Sequence, residues 1–426
     1  MKAIRKIGMW KAIAFLTVVI SFFSCSPEYP KEPLVKAVIT VISPASVTVN
    51  SATVMAMVTP NQDNTLVSIR YQADSSAWKT LDFPNRLSGT DSQTISFNLF
   101  DLLPGTSYKF EVTASNVAGE TTVKGVSFTT IGLTKAVAKT KAAENVTKTT
   151  AKLIASVIPN QNGTEIFMEY QAEKSAWISK SLGNSFSGKD SVKVTLDLSN
   201  LQLNTKYNFR VKIVNKAGEV LSDTASFETY AVSDYDGNLY HTVTIGTQTW
   251  LKENFKGVHF ANDDSIPNVT DQTAWNNLVT PGYCYYNNDP KYAKVYGALY
   301  NFYAFNDSRG LIVGFHSPSL EEWTTLADYL GGRNIAGGKM KEAGYEHWIR
   351  PNAGATNESG FTGLPAGVRQ DKFNNFGDGA VFWSTTSFMG MSNVVFTPDL
   401  SECWAALRLN GGSSSYRGFS IRLLKN

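Results

Sequence analysis

The sequence predicts a mainly β, multidomain protein: two β-sandwiches in tandem, followed by an irregular α+β domain. Three observations predict it. One block of sequence occurs twice at a constant offset of 99 residues, as from Pro60 to Pro159. Each copy alternates apolar and polar residues at period two, the pattern of half-buried strands. After Tyr230 the texture changes: six of nine Trp, twelve of eighteen Tyr and all four His lie from Tyr235 onward.

At 426 residues the chain is too long for one core, and length alone suggests roughly two to four domains. A net charge of +3 from 39 basic and 36 acidic residues, interspersed, leaves no electrostatic footprint for nucleic acid. Three cysteines are too few for a disulfide scaffold.

Lys2, Arg5, Lys6 and Lys11 precede an apolar run, Ala12 to Phe23, then Ser24 and Cys25. A basic region, a short apolar core and a small residue before the cut form a secretory signal, too short to span a bilayer comfortably. An ordinary cleaved signal would leave Cys25 incidental. Cys25 stands where a lipobox puts its acylated cysteine, although Phe22-Phe23-Ser24-Cys25 lacks the usual Leu. In this it resembles bacterial lipoproteins, which implies lipid on Cys25, a membrane anchor and an outer-membrane or cell-surface location. Pro27, Pro30 and Pro33 then make a stiff, extended tether. The signal peptide is 1–24, and the lipidated cysteine with its tether is 25–33.

The repeats follow, 34–131 and 132–230. Tyr71-Gln72-Ala73 recurs as Tyr170-Gln171-Ala172, Ser76-Ala77-Trp78 as Ser175-Ala176-Trp177, and Ala118-Gly119-Glu120 as Ala217-Gly218-Glu219. Tyr108, Phe110, Val112 and Ala114 alternate with polar residues, as do Tyr207, Phe209, Val211 and Ile213. Leu102 to Tyr108 resembles the tyrosine corner of a fibronectin type III domain, in which the Tyr hydroxyl ties a loop to the backbone. Leu201 to Tyr207 repeats it with Asn204 in place of Gly105. The resemblance implies two Ig-like or fibronectin type III-like sandwiches. One departure is that Ala52-Thr53-Val54-Met55-Ala56 lacks the second-strand Trp of that family. Trp78 and Trp177 occupy equivalent positions, as packing residues do. Neither copy carries Arg-Gly-Asp, so both read as spacers. A strand spans ~30 Å, and two sandwiches end to end reach on the order of 60 Å.

The head is 231–426. Asp236 to Tyr240, then Val243, Ile245, Gln248 and Trp250, read as a hairpin. Asp234, Asp236 and Asn238 begin like a calcium loop, but its remaining ligands are missing, so a plain turn is expected and any calcium role rests on that fragment. Ser319 and Glu322 form a capping box, with Leu320, Trp323, Leu326 and Leu330 at helical spacing until Gly331-Gly332. Trp323 is thereby a core residue. Tyr296 to Asn301 is expected to open a second helix.

Seven blocks in order carry a resemblance: Trp250 with Asn254, Tyr283 to Asp289, Tyr296 to Asn301, Gly314 to Trp323, Gly360 to Gly367, Phe382 to Thr385, and Gly418 to Arg422. They look like the Fibrobacter succinogenes major paralogous domain. That resemblance implies a fold of the formylglycine-generating and C-type-lectin-like type, and a cell-surface setting, without naming a substrate. The enzymes distantly related to that fold bind copper through paired cysteines near the C-terminus, whereas Arg417 to Arg422 contains none.

No catalytic constellation emerges. Cys284 and Cys403 lack CxxC spacing, and are a possible disulfide or small buried residues. His241, His259, His316 and His347 show neither HxH nor HExxH, and His316 is expected to satisfy a turn. Glu321 and Glu322 point apart on one helix, wrong for a glycosidase pair. What remains is aromatic and amide surface. Flat rings beside Asn and Asp suit glycans. Tyr285, Tyr286, Asn287, Asn288 and Asp289 form one candidate cluster; Trp383, Trp404, Tyr416 and Arg417 form another. The bland alternative places these rings in the core. The sequence therefore points to a non-catalytic, lipid-anchored binding or adhesion protein recognising a glycan or surface protein. The alternatives are an enzyme acting on polysaccharide or protein, and a structural subunit of a surface assembly.

Overall fold

The computed structural model describes residues 33–61, 64–74, 76–160 and 163–426. The signal peptide, Cys25 and all of the tether but Pro33 lie outside the described residues. Among those residues no helix is long and apolar enough to cross a membrane. Strand predominates over helix throughout. The chain divides into two compact units, one ending at Leu133 and the other running Thr134–Asn426.

The first unit holds β1 (Val38–Val47), β2 (Ala52–Thr59), β3 (Leu66–Ala73), β4 (Lys79–Asp82), β5 (Gln93–Leu99), β6 (Ser107–Asn116) and β7 (Gly119–Thr129). Two antiparallel sheets, β1-β2-β5 and β4-β3-β6-β7, enclose one core. Alternation fixes which face is buried: Tyr108, Phe110, Val112 and Ala114 of β6 point inward while Lys109 is exposed. Val54 and Phe97 meet them from the other sheet. The Tyr108 hydroxyl accepts the Leu103 N–H at 2.8 Å, the bond the corner predicts. Thr130 braces the same loop, accepting from Thr106 N at 2.9 Å and donating to Leu103 O at 2.6 Å.

The second unit opens with the other copy: β8 (Val137–Thr140), β9 (Ala151–Ile158), β10 (Glu165–Ala172), β11 (Ile178–Ser181), β12 (Val192–Leu198), β13 (Lys206–Asn215), β14 (Gly218–Leu221) and β15 (Ala225–Glu228). Its sheets are β8-β9-β12 and β11-β10-β13-β14, with β15 also on β13, so two short strands stand where the first copy has β7. Side-chain bonds repeat too. Tyr207 accepts from Gln202 N at 3.0 Å, and Thr229 donates to Gln202 O at 2.6 Å. Asn116 donates to the carbonyls of Val35 and Pro60, and Asn215 to those of Thr134 and Pro159.

One pair is inverted between copies. Arg70 of β3 faces Glu111 of β6, whereas Glu169 of β10 faces Arg210 of β13. In both, the guanidinium lies over the equivalent indole, 4.7 Å from the Trp78 ring and 4.3 Å from that of Trp177. Trp78 is 38% exposed. These rings therefore pack beneath an arginine on the sheet surface and not in the core.

The head, within the same second unit, has its own cores. One gathers Tyr240, Phe255, Tyr300, Phe302, Trp383 and Phe419; the other gathers Trp250, Trp323, Leu326, Phe361 and Phe382. Its ends meet in one sheet, where Gln248–Leu251 and Phe315–His316 flank Leu424–Lys425. Hairpins form at Val232–Ser233 with Leu239–Tyr240, and at Thr242–Ile245 with Gln248–Leu251. The helix Leu320–Tyr329 carries both capping-box bonds, and Gly331 and Gly332, at φ 99° and 98°, stop it. Trp323 is fully buried. The segment Tyr296 to Asn301 departs from expectation. A helical turn, Ala293–Tyr296, ends there, Leu299–Tyr300 is a strand, and the next helix, Phe302–Phe305, begins after Asn301 caps it. Gly297, at φ 77° and ψ −156°, ends the turn, and only glycine fits there, since a Cβ would lie 2.6 Å from Phe255 O.

Head and second sandwich are joined by side chains. Asn204 donates from Nδ2 to Thr242 O at 3.0 Å and accepts from Thr242 N at 2.8 Å. Lys252 pairs with Glu228 at 3.1 Å, and the Tyr230 and His241 rings lie 4.1 Å apart.

Candidate functional site

Most of the head's sequence blocks build scaffold. Arg422 is fully buried; its Nε donates to Asn254 Oδ1 at 2.8 Å, its Nη1 to the carbonyls of Leu251, Lys252 and Phe361, and its Nη2 to Thr362 O. Three distant blocks are thereby knotted at one cation. Burial pulls this guanidinium down to about 9, opposed by the charge of Glu253, so it stays charged at neutral pH. Arg369 does similar work, donating to the carbonyls of Val269, Thr270 and Asp271 while its guanidinium lies 4.4 Å from the Trp275 ring centre. His316 links Glu322 of the capping box to the Asn426 side chain, 2.8 Å on each side.

The first candidate cluster divides. Tyr285 lines an open cleft, whereas Tyr286 packs at 4.7 Å from Phe376 and 5.4 Å from Phe373. Tyr292 and Tyr296 also meet Phe376, at 4.9 and 4.8 Å, giving a half-buried aromatic strip. Gly367 lets the strip close, since a Cβ there would fall 2.7 Å from the Tyr286 ring. Asn287 and Asn288 are exposed turn residues at φ 50° and 55°. Asp289 caps Lys291 N at 3.0 Å and pairs with the Lys291 ammonium at 2.7 Å.

The second candidate cluster does not assemble. Trp383 is 1% exposed, and its Nε1 donates to Tyr300 O at 2.8 Å, so it cannot offer a face to a ligand. Trp404 is exposed on a turn whose carbonyl, with those of Ala353 and Ser401, holds the buried Lys341 ammonium. Burial pulls Lys341 down to about 8. Tyr416 lines a separate concavity of about 400 Å³ with Tyr303, Asn393 and Ser414. Arg417 is half-buried, with its Nε unpartnered among the described residues.

Cys284 and Cys403 are free thiols, one buried and the other exposed, so the disulfide is not formed. Burial pushes the Cys284 thiol up to about 11. The acidic turn binds itself: Asp234 accepts from Asn238 N, Asn238 Nδ2 and the Tyr240 hydroxyl, the geometry of a plain turn. Glu342, Glu346 and His347 bring possible ligand atoms within 4.8 Å of one another. The His347 Nδ1 already lies 2.9 Å from both Glu342 oxygens, as a donor shared between them.

The cleft at Tyr285 is about 430 Å³ in volume, and Asp236, Asn238, Lys256, Val258 and Lys294 line it with that ring. Asp236 accepts from Val258 N at 2.6 Å, His259 N at 3.2 Å and His259 Nδ1 at 2.6 Å. Lys256 also lies 5.1 Å from the Tyr240 ring centre. Neither Lys256 nor Lys294 has a carboxylate within 4.0 Å among the described residues. The cleft lining thus includes a tyrosine, two lysines and an amide side chain. Sequence reasoning reached Tyr285 and missed both lysines. Nothing in their spacing marks them, because the cleft unites three separate segments, at 236–238, 256–258 and 285–294, a juxtaposition that periodicity does not register.

A family model described as the Fibrobacter succinogenes major domain matches residues 243–425, supporting that identity for the C-terminal domain. No curated protein matches. Among solved structures, the sensor domain of the anti-sigma factor RsgI4 from Pseudobacteroides cellulosolvens is 20% identical, covering 24% of this chain and 100% of that one at a TM-score of 0.20. The chicken CNTN1 FN1-FN3 domains are 17% identical, covering 44% of this chain and 64% of that one at a TM-score of 0.18. At such scores neither likeness bears on function.

Proposed function

We propose that this chain is a lipid-anchored, non-catalytic binding protein of the bacterial cell surface whose head recognises a glycan or a surface protein. Cys25 carries the lipid, residues 26–33 form the tether, and two fibronectin type III-like sandwiches, 34–131 and 132–230, act as spacers. The head, 231–426, has a fold of the formylglycine-generating and C-type-lectin-like type.

The observation that carries the binding role is the cleft of about 430 Å³ at Tyr285, inside the range of ligand sites, with an aromatic residue and several polar ones in its lining. A pyranose presents an apolar face to a ring and hydroxyls to surrounding polar groups, which suits this lining.

The test is an array of polysaccharides and host glycans probed with the full chain in detergent, with and without calcium. Saturable binding that Tyr285→Ala abolishes, with the near-ultraviolet circular dichroism unchanged, is expected. Binding that survives Tyr285→Ala would refute the cleft, and an array with no binding would refute glycan recognition.

A further inference from the structure

We propose that the Tyr285 cleft selects acidic saccharides, taking a uronate-type ring whose carboxylate lies between Lys256 and Lys294. The inference rests on the binding reading above and narrows it to one chemical class. Three observations support it.

The first is charge. The cleft is lined by two lysines and one aspartate. The aspartate is held by hydrogen bonds, its Oδ2 accepting from Val258 N and His259 N and its Oδ1 from His259 Nδ1, and it keeps its charge. No carboxylate lies within 4.0 Å of either lysine among the described residues, whereas Lys291 nearby is paired to Asp289 at 2.7 Å. Two lysines against one aspartate leave the lining with a net positive charge, which favours an anionic ligand.

The second is the limit on what else can donate or accept. Asn238 gives its Nδ2 to Asp234 at 2.8 Å, leaving its carbonyl oxygen as an acceptor for a ligand hydroxyl. The third is the ring. Tyr285 supplies an apolar surface beside those cations, and a plain polyanion has no use for it. A sugar ring bearing a carboxylate uses all of these groups at once; a neutral sugar leaves the lysine charges without a counter-ion, and an inorganic anion leaves the tyrosine idle.

Lys256 is half-buried and Lys294 exposed. Each contact is therefore a screened one, worth roughly a fivefold change in affinity, and weakening as salt rises.

The experiment measures binding of the full chain in detergent to polygalacturonate, alginate and hyaluronan, to the carboxyl-reduced form of each, and to dextran sulfate. The expected result is binding to at least one uronate polymer that is lost on carboxyl reduction. It should fall roughly fivefold in Lys256→Met or Lys294→Met, fall further in the double variant, and vanish in Tyr285→Ala. Both lysine changes are at solvent-accessible positions, and unchanged near-ultraviolet circular dichroism shows the fold intact. Tyr285-dependent binding to the carboxyl-reduced polymers that the double variant retains would overturn the acidic class while leaving the binding role standing. Equal affinity for dextran sulfate would overturn it as well, exposing a general anion patch. No binding to any of these polymers would overturn the acidic-saccharide inference, while the binding role itself is decided by the wider array above.

Discussion

Arg70 and Glu111 face each other across β3 and β6, and the second sandwich carries the same pair with its ends exchanged. Reversing the first pair tests whether the inversion is a conserved interaction or an accident. The Arg70 Nε lies 2.6 Å from Glu111 Oε2, and the two side chains are 44% and 13% exposed. Arg70→Glu removes that bond, worth ~1 kcal/mol at this exposure. It also uncovers Trp78, at about 0.5–1 kcal/mol for the lost cation–π contact. Two carboxylates then stand opposite each other, adding roughly 0.2–1 kcal/mol. The sum is about 2 kcal/mol, or about thirtyfold in an opening equilibrium. The reciprocal variant, Arg70→Glu with Glu111→Arg, recreates the arrangement of Glu169 and Arg210 and should return to within about 0.5 kcal/mol of the parent. Amide hydrogen exchange over Leu66–Ala73 and Ser107–Asn116 reads this locally, with Glu165–Ala172 in the same molecule as the control. A single variant as protected as the parent, or a double variant as unprotected as the single, would refute the reasoning.

Three further predictions concern the head. Arg422→Met strands four carbonyls and the Asn254 amide, at ~1–3 kcal/mol for each buried group, so calorimetry should lose the head transition. Arg422→Lys should fail too, since an ammonium has fewer donors and no fork; a melt like the parent's in either variant would refute the knot. The Glu322 carboxyl is held below its ordinary 4.5: burial acts upward, but the Ser319 N–H, His316 and the Ser319 hydroxyl outweigh it. Its stabilisation is full above that ordinary value and lost as pH falls through the lowered folded one, so Glu322→Gln should flatten the acid limb of thermal stability. Unchanged acid sensitivity would refute this. Alkylation mapped by mass spectrometry should find Cys403 modified in the folded protein and Cys284 only after unfolding; modification of both in the folded state would refute the burial of Cys284.

Much of the fold was legible because its determinants are local. A hydroxyl five residues along the chain reaches the Leu103 N–H, and a glutamate three residues along closes the capping box. Such bonds lie within one turn or corner, so residue types at fixed spacing reveal them. Alternation told inside from outside in β6 and β13 for the same reason. The helix expected at Tyr296 failed because Gly297 takes a positive φ of 77°, at a point where the distant Phe255 carbonyl leaves no room for a side chain. Trp383 failed as a binding residue for a like reason: its partner, the Tyr300 carbonyl, comes from a strand eighty-three positions away.

The duplication, the corners, the cap and the change of texture where the head begins all follow from residue order along the chain. The remainder depends on how the chain packs in three dimensions. That packing set Asn204, which reads as a mere variant of Gly105, against Thr242 of the head, where its amide donates and accepts at once. It sent adjacent tyrosines, Tyr285 and Tyr286, to a cleft and to an aromatic strip, and it brought Lys256 and Lys294 to the first of these. The physical reason is that hydrogen bonds within a turn depend on residues close along the chain, whereas a cleft depends on where separate segments come to rest once the cores beneath them have packed.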